Sequence, residues 1–247
     1  MRKKLENCSI LNERLGRDPQ CEDLLAEIQE SDAIHISTVD LAPETELRLE
    51  LTLAILLEMY DHGEMLSTLY TCLKEILVNA TRANAKEAWF KEQGLDIHNP
   101  EDFRQGMERL QDQYDEKWIN RYGQLAREMG LEADINIDHS EDGISIEVRN
   151  VALKPEEEAR IREKLNTGMQ YDDLMSFYID HADNQEGEGM GLAMILVMLR
   201  GENIDPNLFR MGIVENQTLS RLEIPLSDKF VSVRGANPAG LGSGPVS

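Results

Sequence analysis

The chain has 247 residues and a formal net charge of −22, which excludes nonspecific nucleic-acid binding, because such binding depends on Lys and Arg neutralising phosphates. With 41% hydrophobic and 29% charged residues it has a globular composition, and no apolar run is long enough to span a bilayer. Its three cysteines show no close pairing and its N terminus no secretory signal, so we expect a cytoplasmic protein without disulfides, a zinc site or a membrane partner.

The N-terminal part of the chain predicts an extension followed by a strand and a helix. Residues 1–31 are polar, with a short helix expected after Pro19. The run 33–41 favours a strand, because it is rich in β-branched residues. Pro43 then opens a helix whose apolar residues recur at helical spacing until Gly63.

A second long helix, predicted over residues 64–90, carries the sharpest polar pattern in the chain. Glu75, Asn79 and Arg82 stand at i, i+4 and i+7, which places them on one stripe of a helix otherwise made of core-forming residues. Such a stripe is either a solvated surface with local contacts or a binding site. The spacing alone leaves both interpretations open.

Helices and a hairpin are predicted in the middle of the chain. Residues 91–130 place aromatic and aliphatic side chains at helical spacing after the Asn99-Pro100 cap, which predicts a helical insertion whose aromatic stripe forms core. The run 133–150 alternates isoleucine or valine with polar residues around an Asp-Gly turn, which indicates a β-hairpin. Residues 154–183 are acidic and partly helical in pattern.

The segment 184–199, NQEGEGMGLAMILVML, has glycine at every second position before a long apolar run. Gly187, Gly189 and Gly191 therefore form a glycine loop that opens a helix, and such a loop offers backbone N–H groups to an anion. It is not a Walker loop, which needs Gly-Lys-Ser/Thr, nor a dinucleotide fingerprint, which needs glycine in place of Leu192. A plain flexible turn before a core helix is the alternative.

The C-terminal part predicts two short strands and a tail. The strands are expected between residues 208 and 226, where two β-like runs stand. The tail, residues 227–247, is rich in Gly, Pro and Ser, which predicts disorder. We find no internal repeat.

In their order along the chain, these motifs resemble the GHKL superfamily, the ATP-binding fold of gyrase, the large heat-shock chaperone and sensor histidine kinases. That family has a Glu/Asn-x-x-x-Asn-Ala box on a helix, then a hairpin, a mobile lid and a Gly-x-Gly-x-Gly-Leu box. Here the helix box runs from Glu75 to Ala80 and the glycine box from Gly187 to Leu192. The resemblance covers residues 32–226 and implies an α+β fold, a two-layer α/β sandwich with one mixed sheet and helices on one face.

The resemblance also implies ATP and Mg²⁺ as ligands and gives each motif residue a role. Asn79 would offer its carbonyl oxygen to Mg²⁺, and Glu75 would complete the outer shell of the ion or draw a proton from an attacking water. Arg82 would supply positive charge to the phosphates. The N–H groups of the 187–191 loop, which Leu192 follows, would close over the phosphates.

Asn150 departs from the family pattern. It stands where the family has the Asp of an Asp-x-Gly-x-Gly box, which accepts a hydrogen bond from the adenine amino group, and neither glycine is present. An amide oxygen can accept the same bond without the charge that strengthens it, which leaves purine selectivity open. The alternative is that Asn150 is a turn residue that bonds its own backbone.

The function implied by the resemblance is a signalling kinase or ATPase that phosphorylates a partner protein, either response-regulator-like or another signalling protein. Neither His35 nor His62 is followed by the acidic residue and proline of a phosphoacceptor box, so we expect no autophosphorylation on histidine. A nonhydrolysing nucleotide sensor and a pseudo-ATPase scaffold, each regulating a partner through a protein interface, are the alternatives. The sequence leaves homodimerisation open.

Overall fold

The fold is taken from a computed structural model, which describes residues 5, 8–110, 116–152, 155–181 and 190–233. Its helices are α1 (Ser9–Asn12), α2 (Pro19–Glu30), α3 (Pro43–Met59), α4 (Leu66–Glu92), α5 (Pro100–Leu110), α6 (Glu116–Glu128), α7 (Pro155–Gly168), α8 (Leu174–His181) and α9 (Met190–Gly201). Its strands are β1 (Ala33–Thr38), β2 (Ala133–His139), β3 (Gly143–Val151), β4 (Phe209–Val214) and β5 (Gln217–Pro225). Within these ranges no helix is both long and apolar enough to cross a bilayer.

The five strands form one sheet in the order β1-β2-β3-β5-β4, and every neighbouring pair is antiparallel. The expectation of a mixed sheet is therefore wrong. The reason is topological: β5 lies between β3 and β4, so strands that run in the same direction are never neighbours. A two-residue turn joins β4 to β5, and its residues Glu215 and Asn216 have φ of 52° and 62°. Positive φ at both positions is typical of the type I′ hairpin turn.

One face of the sheet is apolar and carries the helices. Alternate residues of each strand point to that face, because side chains alternate along a strand. They join one core cluster with the apolar sides of α2, α3, α4 and α9. The strand residues in this cluster are Ile34, Ile36, Ala133, Ile135, Ile137, Ile144, Ile146, Val148, Phe209, Leu222 and Ile224. The predicted α+β class is thus confirmed as an antiparallel sheet with helices packed on one face.

The helix that carries the predicted polar stripe, α4, is fixed to the sheet by a buried amide. Asn84 donates from Nδ2 to the carbonyl of Leu131 at 3.2 Å, and its Oδ1 accepts from the backbone N–H of Val151 at 3.2 Å. The side chain of Asn84 is fully buried. A buried amide that is hydrogen-bonded on both sides sets the position of α4 over the end of β3.

The helical insertion has an apolar cluster of its own. Side chains of α5 and α6 pack with the C-terminal part of α4, and the buried members are Ala85, Trp89, Phe90, Ile97, Leu110, Trp118 and Tyr122. The predicted aromatic stripe therefore forms part of the hydrophobic core of the insertion. Gly106 of α5 touches the ring of Phe90 so closely that an added Cβ would lie 2.4 Å from Cε1. Because Phe90 is fully buried, α5 can approach α4 this closely only if residue 106 has no side chain.

Close packing also joins α7 to α9. A Cβ added to Gly168, the last residue of α7, would lie 2.7 Å from the carbonyl oxygen and 2.9 Å from the Cα of Ala193. These are backbone atoms, which cannot turn aside as a flexible side chain can. The glycine therefore holds the end of α7 directly against the backbone of α9.

A buried histidine bridges the sheet and the helices. The Nε2 of His139 lies 3.0 Å from the carbonyl oxygen of Ser31, and its Nδ1 lies 2.8 Å from the hydroxyl of Tyr60. The neutral imidazole satisfies both contacts when Nε2 donates and Nδ1 accepts. Burial lowers the pKa of His139 below its ordinary value of 6.5, although the Ser31 carbonyl acts in the opposite direction.

We expect the free energy of unfolding to fall as the pH drops through about 6.5, the ordinary pKa of histidine. The unfolded chain takes up a proton on His139 near pH 6.5, whereas the folded chain resists protonation until a lower pH. Between these two pKa values the unfolded state binds more protons, so stability rises with pH in that window and is flat above it. Urea unfolding at each pH measures the slope. His139→Gln should flatten it, and an equal slope in both proteins would contradict the assignment.

Candidate functional site

The two polar residues at the centre of the α4 stripe contact each other. Asn79 donates from Nδ2 to the backbone carbonyl of Glu75 at 2.8 Å and to its Oε1 at 3.0 Å. Both side chains are half-buried. None of the described residues donates a hydrogen bond to the side-chain oxygen of Asn79. This oxygen is a ligand that a hard cation can use.

The first turn of α9 lies directly against the Glu75 side chain of this pair. A Cβ added to Gly191 would lie 1.8 Å from Oε1 and 2.1 Å from Cδ of Glu75. The two residues belong to the helix box and the glycine box of the sequence, so the fold brings these distant motifs into contact. Gly191 allows the contact because it has no side chain.

The other predicted residues of the glycine box have different positions. Leu192 is buried in the main core, where it anchors the start of α9. Gly187 and Gly189 lie outside the described residues, as do parts of the predicted lid and the tail beyond residue 233.

The described part of α9 begins at Met190, close to Glu75. The first N–H groups of a helix have no intrahelical partner, and the helix dipole places partial positive charge there. The carboxylate of Glu75 lies at this end of α9 through its contact with Gly191. Phosphate oxygens favour the same environment.

Arg82 faces another part of the molecule. It is exposed and lines a cavity of ≈ 540 Å³ between α4, α6 and the loop that joins β1 to α3. The described lining of this cavity includes Asn120 and Gln124 of α6, but none of Glu75, Asn79, Asn150 or Gly191. Thus Arg82 shares a helix stripe with the pair but lies apart from the glycine helix.

Asn150 lies inside β3 rather than in a turn, with its side chain toward α4. It is buried and stands opposite Thr218 of β5. Its Nδ2 makes long contacts to the carbonyls of Ala80, at 3.5 Å, and Val151, at 3.4 Å. Because Ala80 belongs to the helix box, the structure brings Asn150 next to that box, with an amide whose hydrogen bonds are weak.

A residue pair that sequence reasoning missed ties the lid-like region to α4. Lys86 forms an ion pair with Glu157 of α7, and their side chains are only 17% and 11% exposed. Lys86 continues the stripe of Glu75, Asn79 and Arg82 at helical spacing, which was the one available signal. Its partner lies far along the chain, and no local pattern identifies it.

The site has few groups that could hold a metal ion by themselves. In the part of the chain that the structure describes, no cluster of three or more His, Cys, Asp or Glu side chains is suited to a metal. A cation at Asn79 would therefore need further ligands from a bound phosphate group. This donor set fits Mg²⁺, which is usually held by one or two protein oxygens together with phosphates and water.

Comparisons with known proteins identify a relative but no matching fold. No family model and no solved structure matches the chain. A protein of Treponema pallidum (strain Nichols), described as an uncharacterized protein, is 28% identical over 193 residues. The matched region covers 78% of this chain and 37% of the relative. The chain is therefore similar to a little over a third of a longer protein.

Proposed function

We propose that this protein binds Mg-ATP in a GHKL-type sandwich and acts as a signalling kinase or ATPase module that phosphorylates a partner protein. The observation that carries the proposal is the contact between Gly191 and Glu75. The glycine lets the first turn of α9 lie against the half-buried carboxylate of Glu75, so that the backbone of α9 lies next to the helix box.

The residues around this contact fit Mg-ATP. Asn79 would hold the ion through Oδ1, and bound Mg²⁺ would neutralise phosphate charge. The first turn of α9 would bind phosphate oxygens through its N–H groups. Asn150 would meet the purine beside Ala80. Since the chain has a net charge of −22, these local groups are needed to hold any anion.

In this proposal Glu75 would accept a proton. Its Oε1 is held by Nδ2 of Asn79, which fixes the carboxylate beside the predicted metal ligand. Attack on the γ-phosphorus by a partner nucleophile or a water would form a new bond to phosphorus as the bond to the bridging oxygen breaks. ADP would take the electrons of the broken bond, and Glu75 would accept the proton of the attacking group.

A nonhydrolysing nucleotide sensor is the second candidate, and two observations favour it. Asn150 provides an uncharged contact where the family has a carboxylate. In addition, the ion pair between Lys86 and Glu157 links α7 to the site helix, so a ligand at Asn79 has a route to the lid-like region. Phosphate release from labelled ATP, with and without candidate partner proteins, distinguishes a transferring module from a sensor.

Asn79→Ala is expected to weaken Mg-ATP binding at least about tenfold, because the side-chain oxygen ligand is removed. Isothermal titration calorimetry with Mg-ATP measures the change. Asn136→Ala is the matched control, since Asn136 lies on β2 among the residues that point away from the helices. Equal affinities in wild type and Asn79→Ala would show that the site is assigned wrongly.

A further inference from the structure

The outer edge of the sheet at β4 has unpaired backbone groups. β4 pairs only with β5 among the described strands. Val214 and Gln217 flank the two-residue turn, so they exchange both backbone hydrogen bonds, and such bonded pairs alternate along an antiparallel ladder. Met211 and Ile213 therefore direct their N–H and C=O groups away from the sheet.

A groove runs along this edge. It lies between β4 and α7, has a volume of ≈ 630 Å³ and is partly apolar, with Leu165 and Met169 of α7 and Leu196 of α9 in its lining. At its open end Ile213 and Val214 are 39% and 40% exposed. Exposed apolar side chains beside an unpaired edge form a surface on which another strand can pack.

The described lining of the groove contains more arginines than carboxylates. Arg162, Arg210 and Arg221 line it against one described carboxylate, that of Glu158, although the net charge of the chain is −22. Arg162 is paired with Glu158 at 2.7 Å, and Nε of Arg221 donates to Glu147 at 2.8 Å. Arg210 stands directly opposite Arg221 on the β4-β5 ladder, and the carboxylate of Glu147 is already paired with Arg221.

Arg210 is the arginine of the groove that lacks an acidic partner within the described chain. Its Nε donates to the backbone carbonyl of Asn207 at 2.7 Å, which orients the guanidinium. Its Nη1 is buried and has no hydrogen-bond partner among the described residues. A buried donor of this kind costs free energy until an acceptor binds it, and a carboxylate is the acceptor that a guanidinium binds best.

We propose that this groove binds an extended acidic segment of a partner protein, which adds a strand to the edge of β4 and places a carboxylate at Arg210. The outward backbone groups of Met211 and Ile213 would supply the main-chain hydrogen bonds, and the apolar lining would accept alternate side chains. A second copy of the chain fits less well, because it carries the same net charge and would bring its own Arg210 to the edge. The proposal does not depend on nucleotide binding.

Peptide selection on the full-length protein tests the proposal. Random peptides of about ten residues, longer than a typical strand, are displayed on phage and selected against the immobilised chain. Enriched peptides are then synthesised with a fluorescent label, and their binding is measured by anisotropy. We expect the enriched sequences to alternate apolar and polar residues and to contain Asp or Glu.

Two variants locate the bound peptide. Arg210→Glu should weaken binding at least about tenfold, because it replaces attraction by repulsion. Arg109→Glu, an exposed charge reversal on α5, is its matched control and should leave affinity unchanged. Ile213→Pro should also abolish binding, since it removes an outward N–H group that an edge strand does not need for folding. Ile213→Thr keeps that group and should bind.

Several results would overturn the proposal. These are the absence of enriched peptides, enrichment without acidic residues, or unchanged binding to both Arg210→Glu and Ile213→Pro. Light scattering of the wild type is measured in parallel, and a dimer that Ile213→Pro dissociates would assign the edge to a second copy instead. Melting curves identify a variant that fails to fold, in which case Arg210→Gln replaces Arg210→Glu and should still weaken peptide binding, by a smaller factor, because it removes the attraction without adding repulsion.

Discussion

Replacing Gly191 with alanine is expected to abolish Mg-ATP binding while it changes the melting temperature by no more than about 2–4 °C. The added Cβ would lie 1.8 Å from Oε1 and 2.6 Å from Cγ of Glu75, so the carboxylate must leave its place beside Asn79. Because the displaced atoms belong to a flexible, half-buried side chain, the cost to folding is small. The loss of Mg-ATP affinity is large, because the proposed site needs Glu75 beside Asn79.

Gly201→Ala is the control for this variant. Gly201 ends the same helix, and a Cβ there would meet no atom within 4 Å. Nucleotide-induced shifts in melting temperature compare the two proteins with the wild type. Retained binding in Gly191→Ala would contradict the proposed site. A large loss of stability in that variant would instead mean that the contact serves folding.

Gly106→Ala is expected to lower the free energy of unfolding by about 1–3 kcal/mol, the usual cost of overpacking a well-filled core. Its Cβ would lie 2.4 Å from both Cε1 and Cζ of Phe90, a fully buried ring that stacks on Phe103. Either the ring of Phe90 or helix α5 must move to make room for the added methyl group. Urea unfolding measures the change, and hydrogen exchange shows whether the loss is confined to the insertion.

The matched control is expected to change the free energy of unfolding in the opposite direction. Gly123 lies inside α6 of the same insertion, and a Cβ there would meet no atom within 4 Å. Gly123→Ala should raise the free energy of unfolding by up to about 1 kcal/mol, because alanine is the better helix former. If both variants were equally stable, the contact between Gly106 and Phe90 would not exist in solution.

The sequence predicted those features that depend on local periodicity. The alternation around Ile135 and Ile146 identified the β-hairpin and its apolar face, and helical spacing placed Glu75 and Asn79 on one stripe of α4. Such patterns depend only on the side-chain repeat of a strand or a helix. The contact between Gly191 and Glu75 could be expected only from the order of the motifs, since no local rule joins them.

Other features depend on how distant elements meet, and the sequence did not predict them. The purely antiparallel sheet follows from the insertion of β5 between β3 and β4, which no strand pattern encodes. The direction of Arg82 depends on where α6 packs, because this helix and the β1-α3 loop form the cavity that the arginine lines. The ion pair of Lys86 with Glu157 depends on the path of α7 over α4.

Both ends of α7 are fixed, and this has a mechanical consequence. Glu157, near its start, is paired with Lys86 of α4, and Gly168, at its end, touches the backbone of α9. Since α9 also touches α4 at Gly191, the three helices form a closed ring of contacts. A helix within such a ring cannot rotate away from its neighbours about a single hinge. It must travel with its neighbours or break two contacts at once, so displacement at any of the three joints strains the other two.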